Sequence, residues 1–263
     1  MAKNIITFEN REYYLEKKIR YYDPEHRFEI MMYRSNLLFH TRKVSAIVDF
    51  LIPVAQAHYE NFDVKLARLI PIYHDDNELV SKRGDVSLQL KIQMDDEQRL
   101  ELDKEEMQAI NILCREYPKK IEGYKTKEIL MHALHKNSRE AQLVSFADKH
   151  DGWCESIHEK LAGNDIFLEP VMNYPKDFFI PRREKFPLIK DLFDSELAQK
   201  NPFFQFSVWD MMQYFQNGRL RATPHNEETL KRNSMIPSYE QWKKIVLSLP
   251  NGFNELTVQK EFH

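Results

Sequence analysis

Glycine is scarce in this sequence, and the glycine-rich loops that bind phosphate through the backbone are absent. Only six glycines occur among 263 residues, and neither a G-x-x-x-x-G-K-S/T nor a G-x-G-x-x-G pattern is present. P-loop and dinucleotide-binding motifs are therefore excluded. Any phosphate group must be bound by side chains or by helix ends.

Cysteines are also few, long apolar runs are absent, and the net charge is small. The two cysteines, Cys114 and Cys154, form no C-x-x-C pair, which excludes a zinc ribbon and fits a reducing cytosol. No stretch approaches the roughly 20 apolar residues that a membrane span needs, and the first residues lack the apolar core of a signal peptide. The formal net charge is −3, which argues against a general nucleic-acid-binding surface. We therefore expect a cytoplasmic protein without a membrane or nucleic-acid partner.

The apolar residues that are present follow helical periodicity over most of the first 165 positions. A stripe with spacing i, i+3, i+4, i+7 and i+11 predicts a helix over about 41–60, in which Pro53 should cause a kink or an end. Further helices are expected over about 63–74, 96–116, 126–135 and 138–162. Asp63 is the predicted N-cap of the first of these. The pattern favours an all-α protein.

The composition changes after residue 165. Seven of the twelve prolines lie between 170 and 237, among clusters of phenylalanine and tyrosine. We predict a first domain over 1–165 and a C-terminal, α-rich extension over 166–263 that packs on it. The extension would act as a lid or as an oligomer surface, for example in a homodimer.

One short stretch, 73–78, concentrates side chains that bind metals. His74 and Asp75 stand side by side, and both imidazole nitrogen and carboxylate oxygen suit divalent transition ions. A solvated acidic helix end is the alternative interpretation, and we expect the next residue, Asp76, to face solvent. His40 and Asp148 lie on other predicted helices. Together the four residues form a set that can bind one ion and leave positions open for water and substrate.

The predicted helix that carries Asp148 offers two more carboxylates. Asp151 and Glu155 fall on the same helical face as Asp148. We regard either one as a candidate to hydrogen bond a ligand histidine and to fix its orientation.

Three local motifs resemble those of a known family. Residues 73–79 are similar to a Tyr-His-Asp-x-x-Glu signature, and Gly84-Asp85 to the Gly-Asp pair that follows it. Ala147-Asp148, with Leu-Ala-Gly-Asn at 161–164, is similar to the last ligand helix. These motifs belong to the HD-domain phosphohydrolases, and the likeness over residues 28–165 is to the bacterial, YfbR-like 5′-deoxynucleotidases. The resemblance implies an all-α HD-domain bundle and metal-dependent removal of phosphate from nucleoside 5′-monophosphates.

The resemblance also implies roles for individual residues. The ligands of a divalent ion (Mn, Co, Zn, Fe, Ni or Mg) would be His40, His74, Asp75 and Asp148. Glu78 matches the catalytic glutamate, which handles the proton of the attacking water or of the leaving group. The substrate would be a nucleotide, with Asp85 on its sugar and Arg34 on its phosphate. Lys82 and Arg83 are further candidates to neutralise the phosphate.

Around the substrate residues the chain departs from the family pattern. Arg34 is followed by Ser35 and lies six residues before His40, whereas the family has Arg-Trp further upstream. Phe39-His40-Thr41 replaces Glu-His-Ser. Three other functions therefore stay open: hydrolysis of a dNTP or an alarmone-type nucleotide, nucleotide binding by a non-catalytic regulatory protein, and a scaffold whose C-terminal region binds a partner.

Overall fold

Helices dominate the described part of the chain, and the prediction of a mostly helical protein is confirmed. The computed structural model describes residues 6–20, 22–23, 28–29, 35–81, 83–84, 86, 91, 93–161, 164, 167–179 and 186–194. Within these residues, no helix is both long and apolar enough to span a membrane. Most of the predicted C-terminal extension, from residue 195 onward, lies outside the described residues.

The elements follow one another in this order. The helices are α1 (Arg11–Lys17), α2 (Leu37–His58), α3 (Val64–Tyr73), α4 (Asp76–Val80), α5 (Asp96–Glu116), α6 (Thr126–His135), α7 (Arg139–Leu161), α8 (Leu168–Asn173) and α9 (Pro187–Asp194), with a π-helical turn at Tyr174–Phe179. Strand β1 (Tyr22–Asp23) pairs antiparallel with β2 (Phe28–Glu29), and β3 (Lys120–Ile121) pairs antiparallel with β4 (Tyr124–Lys125).

Backbone proximity divides the chain into two units. The first contains the described residues up to 42 and residues 63–144, and the second contains 43–62 and the described residues from 145 onward. The domain boundary that the sequence suggests at residue 165 stays a prediction.

In the first unit, α3 packs against α6, and α4 packs against α1 and α5. Helix α3 begins where the sequence predicts, because the Asp63 carboxylate accepts a hydrogen bond from the Leu66 backbone NH at 3.0 Å. Its apolar face, including Ala67 and Ile70, is buried. This packing fixes α3 up to Tyr73, the residue before the predicted metal-binding pair.

Helix α2 runs through Pro53 as far as His58, so Pro53 does not end it. A proline inside a helix removes one donor and frees the carbonyl of the residue four positions earlier. Pro53 is exposed, on the solvent side of α2, where backbone carbonyls can tilt toward water and a helix accommodates a local distortion. The predicted apolar stripe of α2, which includes Val44 and Leu51, is fully buried.

In the second unit, α7 is buried on all sides from His150 to Glu159. Aromatic side chains from the described part of the C-terminal extension cover it. Phe179 lies with its ring centre 5.5 Å from that of Trp153, and the Trp153 indole NH donates to the Val171 carbonyl at 3.2 Å. The phenylalanine-rich composition of the extension therefore serves packing on α7 in these residues.

Candidate metal centre

His74 and Asp75 lie in a break between two helices. Helix α3 ends at Tyr73 and α4 begins at Asp76, while Asp75 has φ −107° and ψ 5°, outside the helical region. The segment is therefore not one continuous helix. The break turns both side chains toward His40, near the start of α2.

Three predicted ligands converge at this break. The His40 and His74 Nε2 atoms are 3.3 Å apart, and the Asp75 carboxylate oxygens lie 3.4 Å from His40 Nε2 and 3.2 Å from His74 Nε2. Two ligand atoms each about 2.1 Å from one ion would be ~3.0 Å apart at a right angle and ~3.4 Å apart at the tetrahedral angle. The spacing and the donor types therefore fit a divalent ion.

Both histidines direct Nε2 at this centre, but the hydrogen bonds at Nδ1 favour different tautomers. His74 Nδ1 lies 2.8 Å from the Pro71 carbonyl, which only accepts, so Nδ1 carries the proton and Nε2 presents a lone pair. His40 Nδ1 lies 2.9 Å from Nη1 of Arg20, which only donates, so the proton of a neutral His40 lies on Nε2. An ion bound at Nε2 would require the other tautomer, with the proton on Nδ1, and His40 could not then accept a hydrogen bond from Arg20.

Arg20 is a residue of this centre that sequence reasoning missed. It lies twenty positions before His40, in an extended segment whose backbone pairs with residues 35–36, and its side chain is buried. The neighbouring basic residue Lys18 lies over Gly84, where an added Cβ would be 2.8 Å from the Lys18 ammonium. The only sequence signal was a Lys-x-Arg alternation at 18–20, which places both side chains on one side of an extended segment.

The prediction that Asp76 faces solvent is wrong. We expected it to be solvated, but it is only 1% exposed. Arg11 donates to it through Nε and Nη2, each at 2.8 Å, and the Tyr117 hydroxyl donates at 2.9 Å. Burial raises the pKa of Asp76, while the hydrogen bonds from Arg11 oppose that rise. The carboxylate faces inward because α1 and the residue that follows α5 supply its donors, which are remote in sequence.

The remaining predicted site residues are distributed as follows. Glu78 is half-buried on α4, one turn after Asp75, whose carbonyl accepts its backbone NH at 3.0 Å. Asp148 lies on α7 in the second unit, where its carboxylate is 2.5 Å from the Lys149 ammonium.

Among the predicted substrate residues, the Arg83 guanidinium forms ion pairs with Glu101 and Glu105 at 3.3 and 3.2 Å. Arg34, Lys82 and Asp85 lie outside the described residues. The roles assigned to all of these residues stay predictions.

Asp151 and Glu155 form a buried cluster in the second unit. The Lys43 ammonium lies 3.0 Å from the Asp151 carboxylate and also hydrogen bonds Glu155, and all three side chains are almost completely buried. The two carboxylates thus bind a lysine, and their role as partners of a ligand histidine stays a prediction.

A comparison with models of known protein families identifies the family of this chain. The family model described as 5′-deoxynucleotidase YfbR-like matches residues 26–176, more than half of the chain. The chain belongs to the YfbR-like 5′-deoxynucleotidase family. Membership in this family makes it an HD-type, metal-dependent phosphohydrolase, and implies a divalent ion and a nucleotide substrate. Comparisons with curated proteins and with solved structures returned no match.

The YfbR-like match covers all four predicted ligands and Glu78. It begins after α1 and after Arg20, and it ends at residue 176. Arg11, Arg20 and most of the C-terminal extension therefore lie outside the region that the family model describes.

Proposed function

We propose that the protein hydrolyses the phosphate ester of nucleoside 5′-monophosphates, with a divalent ion held by His40, His74, Asp75 and Asp148. The observation that carries the proposal is the convergence of His40, His74 and Asp75, whose ligand atoms are 3.2–3.4 Å apart. Two imidazoles with carboxylates favour a transition ion such as Mn²⁺ or Co²⁺ over Mg²⁺. Such an ion, when bound, lowers the pKa of water and polarises a phosphoryl oxygen.

In this proposal the chain supplies a proton carrier beside the ligands. Glu78 follows Asp75 by one turn of α4 and is half-buried. A carboxylate at this position can take a proton from the attacking water and return it to the leaving group. We expect Glu78→Gln to lower kcat about 100-fold or more while the protein still binds Mn²⁺, since general acid–base catalysis contributes factors of this size.

Arg20 is the described residue best placed to neutralise the phosphate. Its guanidinium lies 2.9 Å from His40 Nδ1, and Lys18 projects from the same side of the segment. Phosphoryl transfer depends mainly on positioning and on charge neutralisation, which an arginine fork provides for two oxygens at once. We propose this role for Arg20 beside those of Arg34, Lys82 and Arg83, and a sugar contact for Asp85.

Phosphate release tests the proposal. Full-length protein is assayed with nucleoside mono-, di- and triphosphates and with an alarmone-type nucleotide, each with Mn²⁺, Co²⁺ or Mg²⁺. We expect preferential release from monophosphates by the wild type and background release by Asp75→Ala. Asp103→Ala, at an exposed position of α5, is the matched control and should retain full activity.

The other outcomes discriminate between the alternatives. Preference for a triphosphate or an alarmone-type nucleotide would identify a related hydrolase with a different substrate. Equal background release by the wild type and Asp75→Ala would end the hydrolase proposal. Nucleotide binding without release would then identify a regulatory protein.

A further inference from the structure

We propose that Arg11 and Asp76 form a positioning pair that holds His74 and Asp75 in the geometry that binds the ion, an inference that rests on the function proposed above. The pair connects α1 to the break between α3 and α4. Neither residue is a candidate ligand. Their contribution would be to fix the backbone on both sides of the ligands.

The first contact is on the α3 side of the break. Arg11 Nη2 donates to the carbonyl of Ile72, two residues before His74. Carbonyl groups in the last turn of a helix lack a donor from within the helix. Arg11 therefore supplies a hydrogen bond where α3 stops, and it fixes the direction in which the chain leaves that helix.

The second contact is on the α4 side. Asp76 is the first residue of α4, and its two carboxylate oxygens each accept from Arg11 at 2.8 Å. The Tyr117 hydroxyl adds a third hydrogen bond at 2.9 Å, because burial and the neighbouring Asp76 carboxylate raise the pKa of Tyr117 and keep it protonated. One guanidinium thus binds the chain before His74 and after Asp75.

The packing around this pair limits its movement. The Arg11 side chain is 6% exposed, and its guanidinium lies 4.7 Å from the centre of the Tyr73 ring. A planar fork in a buried bidentate contact has fewer alternative geometries than a lysine ammonium. The side chains of the ligands His74 and Asp75 are themselves only 7% and 14% exposed. Partners that orient ligands typically change metal affinity 10- to 100-fold when they are removed.

Arg11 lies outside the region matched by the family model, which begins at residue 26. The pair is therefore not described by the family model, although its acidic member is next to the predicted ligands. We infer that the N-terminal helix of this chain contributes directly to the order of the metal centre.

The experiment measures the Mn²⁺ dissociation constant of full-length protein by electron paramagnetic resonance of free Mn²⁺. The main variant is Arg11→Met with Asp76→Leu, which replaces the buried pair by apolar groups of similar size and so avoids an unpaired buried charge. Arg11→Lys keeps the charge without the bidentate fork. Leu15→Ala is the matched control, since it creates a cavity under the same helix and leaves the pair intact.

All measurements are made at a temperature at which circular dichroism shows each variant to be folded. We expect Mn²⁺ binding to weaken at least tenfold in the double variant and to a smaller extent in Arg11→Lys. Leu15→Ala should bind within twofold of the wild type even though its melting temperature falls. If the double variant does not fold, the Mn²⁺ dissociation constant of Arg11→Lys is compared with that of Leu15→Ala, and a weaker affinity in Arg11→Lys supports the inference.

Two results would overturn the inference. One is wild-type affinity in the folded pair variants, and the other is an equal loss of affinity in Leu15→Ala, which would show that α1 acts only through stability. Failure of the proposed function would give a different result, because the wild type itself would then bind neither Mn²⁺ nor Co²⁺. That result would also overturn the inference.

Discussion

Each of the two units contains a buried ion cluster, and the two clusters are built differently. In the first unit, Arg11 meets one buried carboxylate, Asp76, through a bidentate contact that Tyr117 supplements. In the second unit, Lys43 meets two carboxylates, Asp151 and Glu155, which are four residues apart on α7. One cluster pairs charges one to one, whereas the other surrounds a single ammonium with two carboxylates.

This difference shows that sequence spacing predicts some buried contacts, whereas others are created only by the fold. The carboxylates of the lysine cluster are on one helical face and so were predicted to lie together. Asp76 and Arg11 are 65 positions apart, and no local pattern connects them. Loss of the cation also has unequal consequences, because it leaves two buried carboxylates without Lys43 but only one without Arg11.

The largest effect is expected from Lys43→Met. This change removes the ammonium between two buried carboxylates, and we expect the free energy of unfolding to fall by about 3–5 kcal/mol or more. Chemical denaturation followed by circular dichroism measures it. Lys125→Met removes an exposed lysine whose partner is Glu128 and should leave stability unchanged within error. An equally small effect of Lys43→Met would show that the buried cluster contributes little.

The next largest effect is expected from Arg11→Met alone. It leaves Asp76 buried with Tyr117 as its remaining donor in this network, and we expect a loss of about 3 kcal/mol in the free energy of unfolding. Adding Asp76→Leu should restore most of the loss, since the double variant buries no unpaired charge. Denaturant titration of the two variants provides the comparison. If the second substitution restores nothing, the loss comes from packing of the arginine stem and not from the stranded carboxylate.

A smaller effect is expected from Tyr117→Phe. The ring stays in place, and Asp76 keeps both bonds from Arg11, so only one hydrogen bond is lost. We expect a decrease of about 1 kcal/mol in the free energy of unfolding, measured by thermal or chemical denaturation. A loss as large as that of Arg11→Met would contradict the view that the bidentate contact dominates this cluster.

The smallest effect is expected outside both clusters, at the half-buried bond between Tyr124 and the helix cap Asp63. Hydrogen bonding to Asp63 raises the pKa of Tyr124 to about 12. Because the folded-state pKa exceeds the unfolded value of about 10, the stabilisation is complete below pH 10 and disappears as the pH rises through 12. The stability difference between wild type and Tyr124→Phe should therefore be constant up to about pH 10 and then shrink.

Ultraviolet difference spectra of tyrosine ionisation, recorded in parallel with denaturation, provide the check on Tyr124. Tyrosine ionisation that is identical in wild type and Tyr124→Phe near pH 12 would contradict the assignment. A stability difference that grows above pH 10 would contradict the sign.

Most of the helices could be predicted from the sequence, because helix formation depends on near neighbours. The apolar stripe of α2 and the cap at Asp63 have their determinants within a few residues. The effect of Pro53 was harder to predict, since whether a helix tolerates a proline depends on which side of the helix the fold leaves exposed. Family membership also followed from local motifs, and the match over residues 26–176 confirmed it.

By itself, the sequence determined that the chain is helical and that histidine and aspartate residues occur at the spacing of a known phosphohydrolase family. Only the tertiary structure decided how two adjacent aspartates differ: Asp75 faces His40, whereas Asp76 is buried against Arg11. It also placed Arg20 beside His40, a contact that no motif indicated. The physical reason is the same in each case. The environment of a charged side chain is set by donors that the fold brings from 20 to 65 positions away, and these leave no local periodicity in the sequence.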